Sequence, residues 1–393
     1  HYTEEDLKYR EHANSIASHM EGGKLTKFEE GSGRLPHFSN VDSGYWWIEL
    51  GGEDEDIIRD GEKIRDELLK CVYGVWDHLK NVGNHGVENL DLDWVGFVPG
   101  YRESRRIEGD YLLNEKDVLA NRIFPDAVAY GGWQIDDHLP GGFLMDAKNG
   151  GHLRKRRLSE PYGIPFRCLY SVNISNLMFA GRNISATHVG ISTTRVMGTV
   201  GVLGQAAGTA AAIAVKNNLL PRQAGQKKIK EIQATLMEDD CFLPGFRREI
   251  SQLSKQGNLT CEYGDCSVLH NGMERRIWGN DNGYCGKTNK AIQYTFQQPT
   301  HISQVRLVFD SDLNRDYTDG NPDGLNTSSV LFYPLSYNGT TFGFPSCLVK
   351  SYKIEALDET GTWKTIFETR SNYQRFIRLD IDVVTTAIRL IPL

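Results

Sequence analysis

The clearest periodic pattern of apolar positions lies in residues 54–81, where apolar side chains recur at three- and four-residue steps with charged residues between them. This spacing puts the apolar side chains on one face and predicts an amphipathic helix that packs against a core. Residues 1–22 show a weaker helical pattern, and a charged helix is predicted at residues 227–239 after the turn at Pro221. We interpret these helices as scaffold.

Residues 176–215 combine a short apolar run with a long uncharged segment. Residues 177–180 are predicted to form a buried parallel strand that ends at the Gly181 turn. Residues 196–215 carry no charge, and four glycines recur there at helical spacing, so one face of the predicted helix has almost no side chains. We expect a neighbouring group to lie very close to this face. The four positions are Gly198, Gly201, Gly204 and Gly208.

Three interpretations of this helix compete. Its length and lack of charge suit a transmembrane helix, but Leu occurs once and Phe never, so transfer into lipid would release little free energy. No transmembrane segment is therefore predicted. The helix can also be a buried one that packs tightly on a sheet, or one whose amino end faces a bound cofactor through its free N–H groups and dipole. These last two interpretations are compatible.

The pattern of apolar and polar residues changes after residue 250. The polar residues 251–257 lack periodicity and are interpreted as a linker between a first domain, residues 1–250, and a second, residues 258–393. Short β-type runs with turn residues between them then predict an antiparallel sandwich. The predicted strands are residues 291–296, 301–309, 348–357, 363–368, 376–381 and 386–390.

Composition narrows the function classes. The chain has 393 residues, 39% of them hydrophobic and 24% charged, which is enough for two domains with separate cores. A net charge of −7 disfavours nucleic acid as a partner. Seven cysteines at scattered spacings form no metal-binding pattern, and no metal site is predicted. Cys261 and Cys266 are either a disulfide, if the protein is exported, or a pair of free thiols.

Two segments concentrate polar chemistry. Arg102, Arg105 and Arg106 follow a Pro-Gly turn, and guanidinium groups packed this densely must be paired or must face an anion. Residues 132–138 place two carboxylates beside His138, either as a reactive group or as caps of a neighbouring turn.

These same segments resemble a known family. Residues 176–212 are similar to the last cofactor-binding segment of FAD-dependent oxidoreductases with a glutathione-reductase-like flavin fold. The resemblance implies an α/β flavin domain with a helical substrate subdomain, and FAD as cofactor. It covers roughly residues 40–245, and its further matches are residues 45–49, 75–78, 99–106, 131–138 and 161–165.

One departure from the family is large. The GxGxxG turn that holds the flavin pyrophosphate is absent, since the nearest match, residues 31–36, reads GSGRLP. We therefore expect this chain to be the carboxy-terminal portion of a longer protein, which puts its own affinity for FAD in doubt.

The resemblance also assigns expected roles. His138 or His188 is expected to take the substrate proton, with Asp136 or Asp137 orienting the imidazole. Tyr162 is expected either to close the substrate pocket or to lie in a plain turn. The expected cofactor-binding residues are Arg102, Arg105, Gly181, Arg182, Ser185, Thr187, Arg195, Gly198, Gly201 and Gly204.

The second domain resembles the discoidin or galactose-binding-like jelly roll, through residues 277–279, 309–310, 353–357, 363–364 and 387–390. Such modules bind glycans or are purely structural. Trp278, Asn280 and Tyr284 are candidates for a sugar platform, and Trp47 is a candidate for lining a substrate cleft.

Two hypotheses follow. The first is an FAD-dependent oxidoreductase that transfers a hydride from an alcohol or amine, with carbohydrates among the candidate substrates, to flavin N5. The alternative is a non-catalytic carbohydrate-binding or scaffold protein that retains a flavin-fold remnant. A location outside the cytoplasm, periplasmic or secreted, is expected from the appended sandwich.

Overall fold

The computed structural model describes residues 48–52, 54–77, 80–81, 88–103, 105–138, 140–142, 153–275, 280–311 and 348–393. The predicted helix at residues 1–22 lies outside the described residues. The chain divides into two compact units. The first comprises His1–Ala120, Gly131–Ser159 and Cys168–Gly204, and the second comprises Asn121–Tyr130, Glu160–Arg167 and Gln205–Leu393.

The described helices and strands are numbered along the chain. The helices are α1 (Gly61–Asp77), α2 (Glu115–Leu119), α3 (His188–Thr194), α4 (Met197–Lys216), α5 (Pro221–Glu238) and α6 (Gln252–Gln256), with 3₁₀ turns at Phe166–Cys168 and Ser267–His270. The strands are β1 (Ala127–Gly131), β2 (Ile135–His138), β3 (Leu153–Arg156), β4 (Tyr162–Pro165), β5 (Asn258–Cys261), β6 (Ile292–Val308), β7 (Tyr352–Leu357), β8 (Trp363–Thr369) and β9 (Phe376–Pro392).

The amphipathic helix predicted at residues 54–81 is present as α1, but it begins seven residues later. The Asp56 carboxylate accepts hydrogen bonds from the N–H groups of Ile58 and Arg59, both at 2.9 Å. These hydrogen bonds satisfy backbone N–H groups that would have no partner in the first turn of a helix. Residues 54–60 therefore form turns, and the helix begins after them.

In the first unit, α2 and α3 begin side by side. Asn114 caps α2 in a capping box with Asp117, and Thr187 caps α3 by accepting a hydrogen bond from Gly190 N–H at 3.1 Å. The residues just before the two helices form a parallel bridge, Leu113 to Ala186. This bridge fixes His188, the first residue of α3.

The prediction of a parallel strand at residues 177–180 is wrong. Within the described part of the chain, Met178 alone among these four residues makes a bridge, an antiparallel one to Tyr170, supported by a 2.9 Å hydrogen bond from Phe179 N–H to the Leu169 carbonyl. Phe179 is buried, whereas its neighbours Leu177 and Met178 are half-buried, so the run has a single inward-facing side chain and not a two-sided buried strand.

The glycine-rich helix is confirmed as α4, and no described protein atom packs closely on its glycine face. A Cβ added at Gly198, Gly201, Gly204 or Gly208 would meet no described atom within 4 Å. The helix buries its opposite side, including Leu203, and leaves the glycine side exposed. By length and composition alone α4 could cross a membrane, with 33% of that stretch buried.

In the second unit, β1 and β4 form a two-stranded sheet, and α5 is tied to β1 through one side chain. The buried Gln233 amide donates hydrogen bonds to the carbonyls of Pro125 and Ala127, both at 2.9 Å. Helix α5 begins at Pro221, six residues before the predicted start, because proline is well suited to the first helical position.

The carboxy-terminal strands form a five-stranded antiparallel sheet in the order β5-β6-β9-β7-β8. Strands β6 and β9 each merge two predicted strands, and β6 continues through register shifts between Thr295 and Thr300 and between Ile302 and Gln304. Short helix α6 occupies the predicted linker. The predicted class, an α/β flavin-type domain plus an all-β domain, is confirmed in its β part by this sheet. The core residues beside this sheet are Phe296, Ile302, Phe309, Leu348, Tyr352, Ile354, Ile377 and Ile388.

Arginines of this sheet bind the carboxyl end of α5. Arg306 donates to the Met237 carbonyl at 3.2 Å, and Arg378 donates to the Glu238 carbonyl at 3.0 Å. These carbonyls are among the last ones of the helix, which have no partner within it. The guanidinium groups therefore satisfy them and also lie at the negative end of the helix dipole.

The packing of α3 against the residue before α2 gives a stability prediction. A Cβ at Gly190 would lie 2.7 Å from the Leu113 carbonyl oxygen, which is backbone and cannot turn away. We expect Gly190→Ala to lower the free energy of unfolding by about 1–3 kcal/mol, as overpacking does, measured by urea denaturation. The matched control is Gly208→Ala, where the Cβ meets open space and a gain of about 0.5–1 kcal/mol is expected from helix propensity. Equal stability of the two variants would contradict this packing.

Candidate functional site

The candidate site is organised by the alternation of side chains along β2. Asp136 and Asp137 are consecutive in this strand, so their side chains leave on opposite sides. The Asp136 side chain contacts the imidazole of His138, and the Asp137 side chain contacts that of His188. We call the set around His138 the inner cluster and the set around His188 the outer cluster; both belong to the first unit. The inner cluster is Glu49, Arg102, Asp136, His138 and Arg195, and the outer cluster is Glu103, Arg106, Asp137 and His188.

The inner cluster holds His138 between two carboxylates. Its Nδ1 lies 2.6 Å from Glu49 Oε1 and its Nε2 lies 3.3 Å from Asp136 Oδ2, with the side chain 14% exposed. Arg195 donates to the Asp136 carbonyl at 2.7 Å, and Arg102 lies 3.4 Å from Glu49 Oε2. Both ring nitrogens and both carboxylates are therefore engaged, as buried ionisable groups require.

The outer cluster repeats this arrangement at the surface. His188 Nδ1 lies 2.6 Å from Glu103 Oε2 and its Nε2 lies 2.9 Å from Asp137 Oδ1. The His188 side chain is 48% exposed, whereas that of Asp137 is 13% exposed. Arg106 pairs with the second Glu103 oxygen at 2.8 Å. His188 is thus the imidazole that a dissolved molecule can reach.

The two contacts of His188 differ in alignment. The contact with Glu103 has hydrogen-bond geometry, whereas Asp137 Oδ1 accepts no hydrogen bond from the described protein atoms although Nε2 is close. Alignment decides the strength of a hydrogen bond at a given distance. Nδ1 is therefore held by Glu103, whereas Nε2 faces the Asp137 carboxylate in a contact that is less well aligned.

The surroundings of these ionisable groups shift their pKa values in different directions. The hydrogen bond with Glu103 raises the pKa of His188 above its ordinary 6.5, although burial opposes this. Burial raises the pKa of Glu103, but the hydrogen bond and charge of His188 outweigh it and leave that pKa below 4.5. The pKa of Asp136 is likewise lowered, since the hydrogen bond and charge of His138 overcome burial. Burial and the charge of Arg102 lower the pKa of Arg195.

Arg195 links the clusters to α4. It is the residue that ends α3, and α4 begins two residues later. Thr193 in α3 donates to the Trp133 carbonyl at 2.5 Å, which fixes α3 against the segment before β2. The guanidinium of Arg195 and the free N–H groups at the start of α4 therefore belong to one short stretch of chain, and both carry positive charge.

The other predicted residues of the first unit are not members of the two clusters. Gly181 adopts a φ of 110°, which confirms a turn there. Arg182 donates to the Tyr101 carbonyl, Ser185 is buried with an Oγ that has no described partner, and Thr187 caps α3. Arg105 is exposed. Gly198, Gly201 and Gly204 lie on the exposed face of α4.

The remaining predicted residues lie elsewhere. Tyr162 belongs to the second unit, where it is fully buried in β4 and not in a turn. Asn280 is exposed, and the Tyr284 hydroxyl donates to the Tyr263 carbonyl at 2.5 Å. Trp47 and Trp278 lie outside the described residues, so the sugar platform stays a prediction. Within the described ranges, no group of three or more His, Cys, Asp or Glu side chains is arranged to hold a metal ion.

Glu49 and Glu103 are the site residues that sequence reasoning did not single out. Glu49 is 89 residues from His138, and Glu103 is 85 residues from His188. A signal existed for Glu49, which is a lone carboxylate in the apolar run 46–50. Glu103 stands among three arginines, which suggested only local pairing.

The raised pKa of His188 gives a pH prediction. A folded pKa above 6.5 means that protonated His188 stabilises the fold below that pH, and that this contribution is lost as pH rises through the raised value. We expect urea denaturation to show falling stability across that window, and NMR titration to place the imidazole pKa above 6.5. In Glu103→Gln the window should flatten and the pKa should fall. An imidazole that titrates below 6.5 in the unaltered protein would contradict the geometry.

Comparison with known proteins identifies the family. The model of the family described as FAD dependent oxidoreductase matches residues 1–236. No curated protein matches this chain.

Three solved structures, all of discoidin-like carbohydrate-binding modules, show a limited likeness. The family 32 carbohydrate-binding module from Streptococcus pneumoniae EndoD is 10% identical, with 35% of this chain and 82% of that chain covered and a TM-score of 0.23. Chitosan-binding module 1 from the chitosanase/glucanase of Paenibacillus sp. IK-5 is 11% identical, with 36% and 85% covered and a TM-score of 0.21. The family 32 module from C. perfringens NanJ, in complex with galactose, is 11% identical, with 36% and 84% covered and a TM-score of 0.21. The family match spans more than half of the 393 residues, and the chain belongs to the FAD dependent oxidoreductases.

Proposed function

We propose that this protein oxidises an alcohol or amine in a flavin-dependent reaction in which His188 takes the O–H or N–H proton of the substrate. The observation that carries the proposal is the environment of His188: its side chain is half-exposed, Nδ1 is held by Glu103, and Nε2 lies 2.9 Å from the Asp137 carboxylate. The division into a flavin domain, residues 1–250, and a sandwich, residues 258–393, is part of the same proposal.

The residues at the start of α4 suit the electron-rich edge of a flavin ring. Arg195 and Arg102 supply positive charge, and the first N–H groups of α4 add the positive end of the helix dipole. Gly198 leaves open space at that helix end. The pyrophosphate is a separate matter, because the sequence holds no GxGxxG turn for it. FAD, when bound, supplies an acceptor for the substrate hydride at N5.

His188 is suited to act as the base. In its neutral form Nδ1–H donates to Glu103, so Nε2, with the Asp137 carboxylate 2.9 Å away, is the nitrogen that takes the substrate proton. The imidazolium that results lies between the carboxylates of Glu103 and Asp137, which stabilise its charge. A base with a raised pKa binds the proton more strongly but is unprotonated only at higher pH.

His138 has a positioning role in this proposal. Its nitrogens are occupied by Glu49 and Asp136, and Asp136 is in turn held by Arg195. The inner cluster therefore fixes the direction of β2, and with it Asp137 on the other side of the strand. Replacement of His138 should disturb Asp137 without removing the base.

The proposal predicts the kinetics of His188 variants. In FAD-loaded protein, His188→Ala should slow flavin reduction by a screened alcohol or amine by about 10²–10⁴-fold, the usual contribution of a general base. The rate of the unaltered protein should rise with pH through the raised His188 pKa, and Glu103→Gln should move this rise to lower pH. Stopped-flow absorbance of the flavin band measures both.

The control is His301→Ala, an exposed imidazole that pairs with Asp382 at 2.7 Å on the carboxy-terminal sheet. The flavin in the His301→Ala variant should be reduced at the same rate as in the unaltered protein. Flavin fluorescence checks that each variant holds FAD. An unchanged reduction rate in His188→Ala, or a chain that binds no FAD under any condition, would exclude the proposed role.

A further inference from the structure

Three cysteines lie close together in the second unit, in a region that the proposed oxidation does not use. Cys261 is the last residue of β5, and Cys266 immediately precedes the 3₁₀ turn Ser267–His270. Cys285 follows Tyr284, whose hydroxyl reaches the Tyr263 carbonyl in the loop between the first two cysteines. None of the three forms a disulfide in this structure.

Cys261 interacts with the loop that follows it. As a thiol it donates to the Gly264 carbonyl at 3.4 Å. Its side chain also interacts with that of Cys266, which is the largest cause of a lowered pKa of the Cys261 thiol. The loop therefore favours the thiolate of Cys261.

The environments of the two thiols differ. Hydrogen bonding, first of all from Cys266, lowers the pKa of Cys261, whereas burial raises the pKa of Cys266 to about 11. Cys261 is half-exposed and Cys266 is 4% exposed. One thiol is therefore accessible and ionised more readily, and its hydrogen-bond partner is protected. This is the asymmetry of a nucleophilic and a resolving cysteine.

We propose that Cys261 and Cys266 are a thiol-disulfide site that reacts with small-molecule disulfides. The Cys261 thiolate attacks one sulfur of the disulfide, forms a mixed disulfide and releases one thiolate. The Cys266 thiol then loses its proton and attacks the Cys261 sulfur, which forms the Cys261–Cys266 bond and releases the second thiolate. The protein pair is oxidised by two electrons, the small disulfide is reduced to two thiols, and these take up the two protons that the protein thiols lose.

The fold makes this bond easy to close. Only four residues separate the two cysteines, and their side chains already interact. Strand β5 holds Cys261 opposite Ile292 of β6, and Asp265 fixes the other end by accepting hydrogen bonds from Ser267 N–H and Oγ at 2.9 and 3.0 Å. Both ends of the loop that carries the two thiols are therefore anchored.

The test is oxidation of the reduced full chain with glutathione disulfide, followed by tryptic digestion without reductant and mass spectrometry. Trypsin cuts after Lys255 and Arg275, so Cys261 and Cys266 stay in one peptide and Cys285 lies in another. In the unaltered chain we expect this peptide to lose two hydrogens. In Cys266→Ser, whose hydroxyl keeps a donor at the same place, we expect a stable glutathione adduct on Cys261.

The comparison of single variants decides the assignment. Cys261 in Cys266→Ser should react about tenfold faster, or more, than Cys266 in Cys261→Ser, because the thiolate is the attacking form. Cys241, whose pKa burial raises to about 11, is the matched slow thiol within the same chain. Limiting iodoacetamide on the unaltered chain gives a second measurement that needs no variant, and it should label Cys261 before Cys241. Retention of both thiols, or equal rates at Cys261 and Cys266, would overturn the proposal.

Discussion

Two imidazoles, each placed between two carboxylates, are the interaction on which the site of the first unit depends. The four carboxylates are Glu49, Glu103, Asp136 and Asp137, and three guanidinium groups, those of Arg102, Arg106 and Arg195, pair with them. With both imidazoles neutral these groups carry one net negative charge, which protonation of a single imidazole cancels. His188 is the more exposed imidazole, so its proton costs less desolvation, and its raised pKa agrees with this balance.

The sequence predicts the near half of the inner cluster. Asp136 and His138 are two residues apart, and strand periodicity puts them on the same side of β2, so their contact follows from local pattern. The partners Glu49 and Glu103 come from chain positions more than eighty residues away. The spacing of residues along the chain does not predict such contacts, because they depend on how the fold brings distant segments together.

The fold shows the same limit. Glycine spacing predicts that one face of α4 lacks side chains, and this is confirmed, but spacing carries no information about what covers a face. Likewise, two separate strands are predicted at residues 291–296 and 301–309, with Pro299 and polar residues between them. Strand β6 runs through them because register shifts against β9 absorb the irregular residues. Alternation therefore locates the paired residues but not the continuity of the strand.

The contact between α5 and the carboxy-terminal sheet shows why such features escape sequence reasoning. Arg306 and Arg378 bind backbone carbonyls at the end of α5, so no particular side chain of that helix is needed. Asp240, just beyond the helix, adds ion pairs at 3.0 Å with both Arg275 and Arg375. The family match ends at residue 236, within α5. The sheet is therefore bound through charge-assisted hydrogen bonds to the last helix of the family segment, and separation of the two would remove these bonds from the carbonyls of Met237 and Glu238.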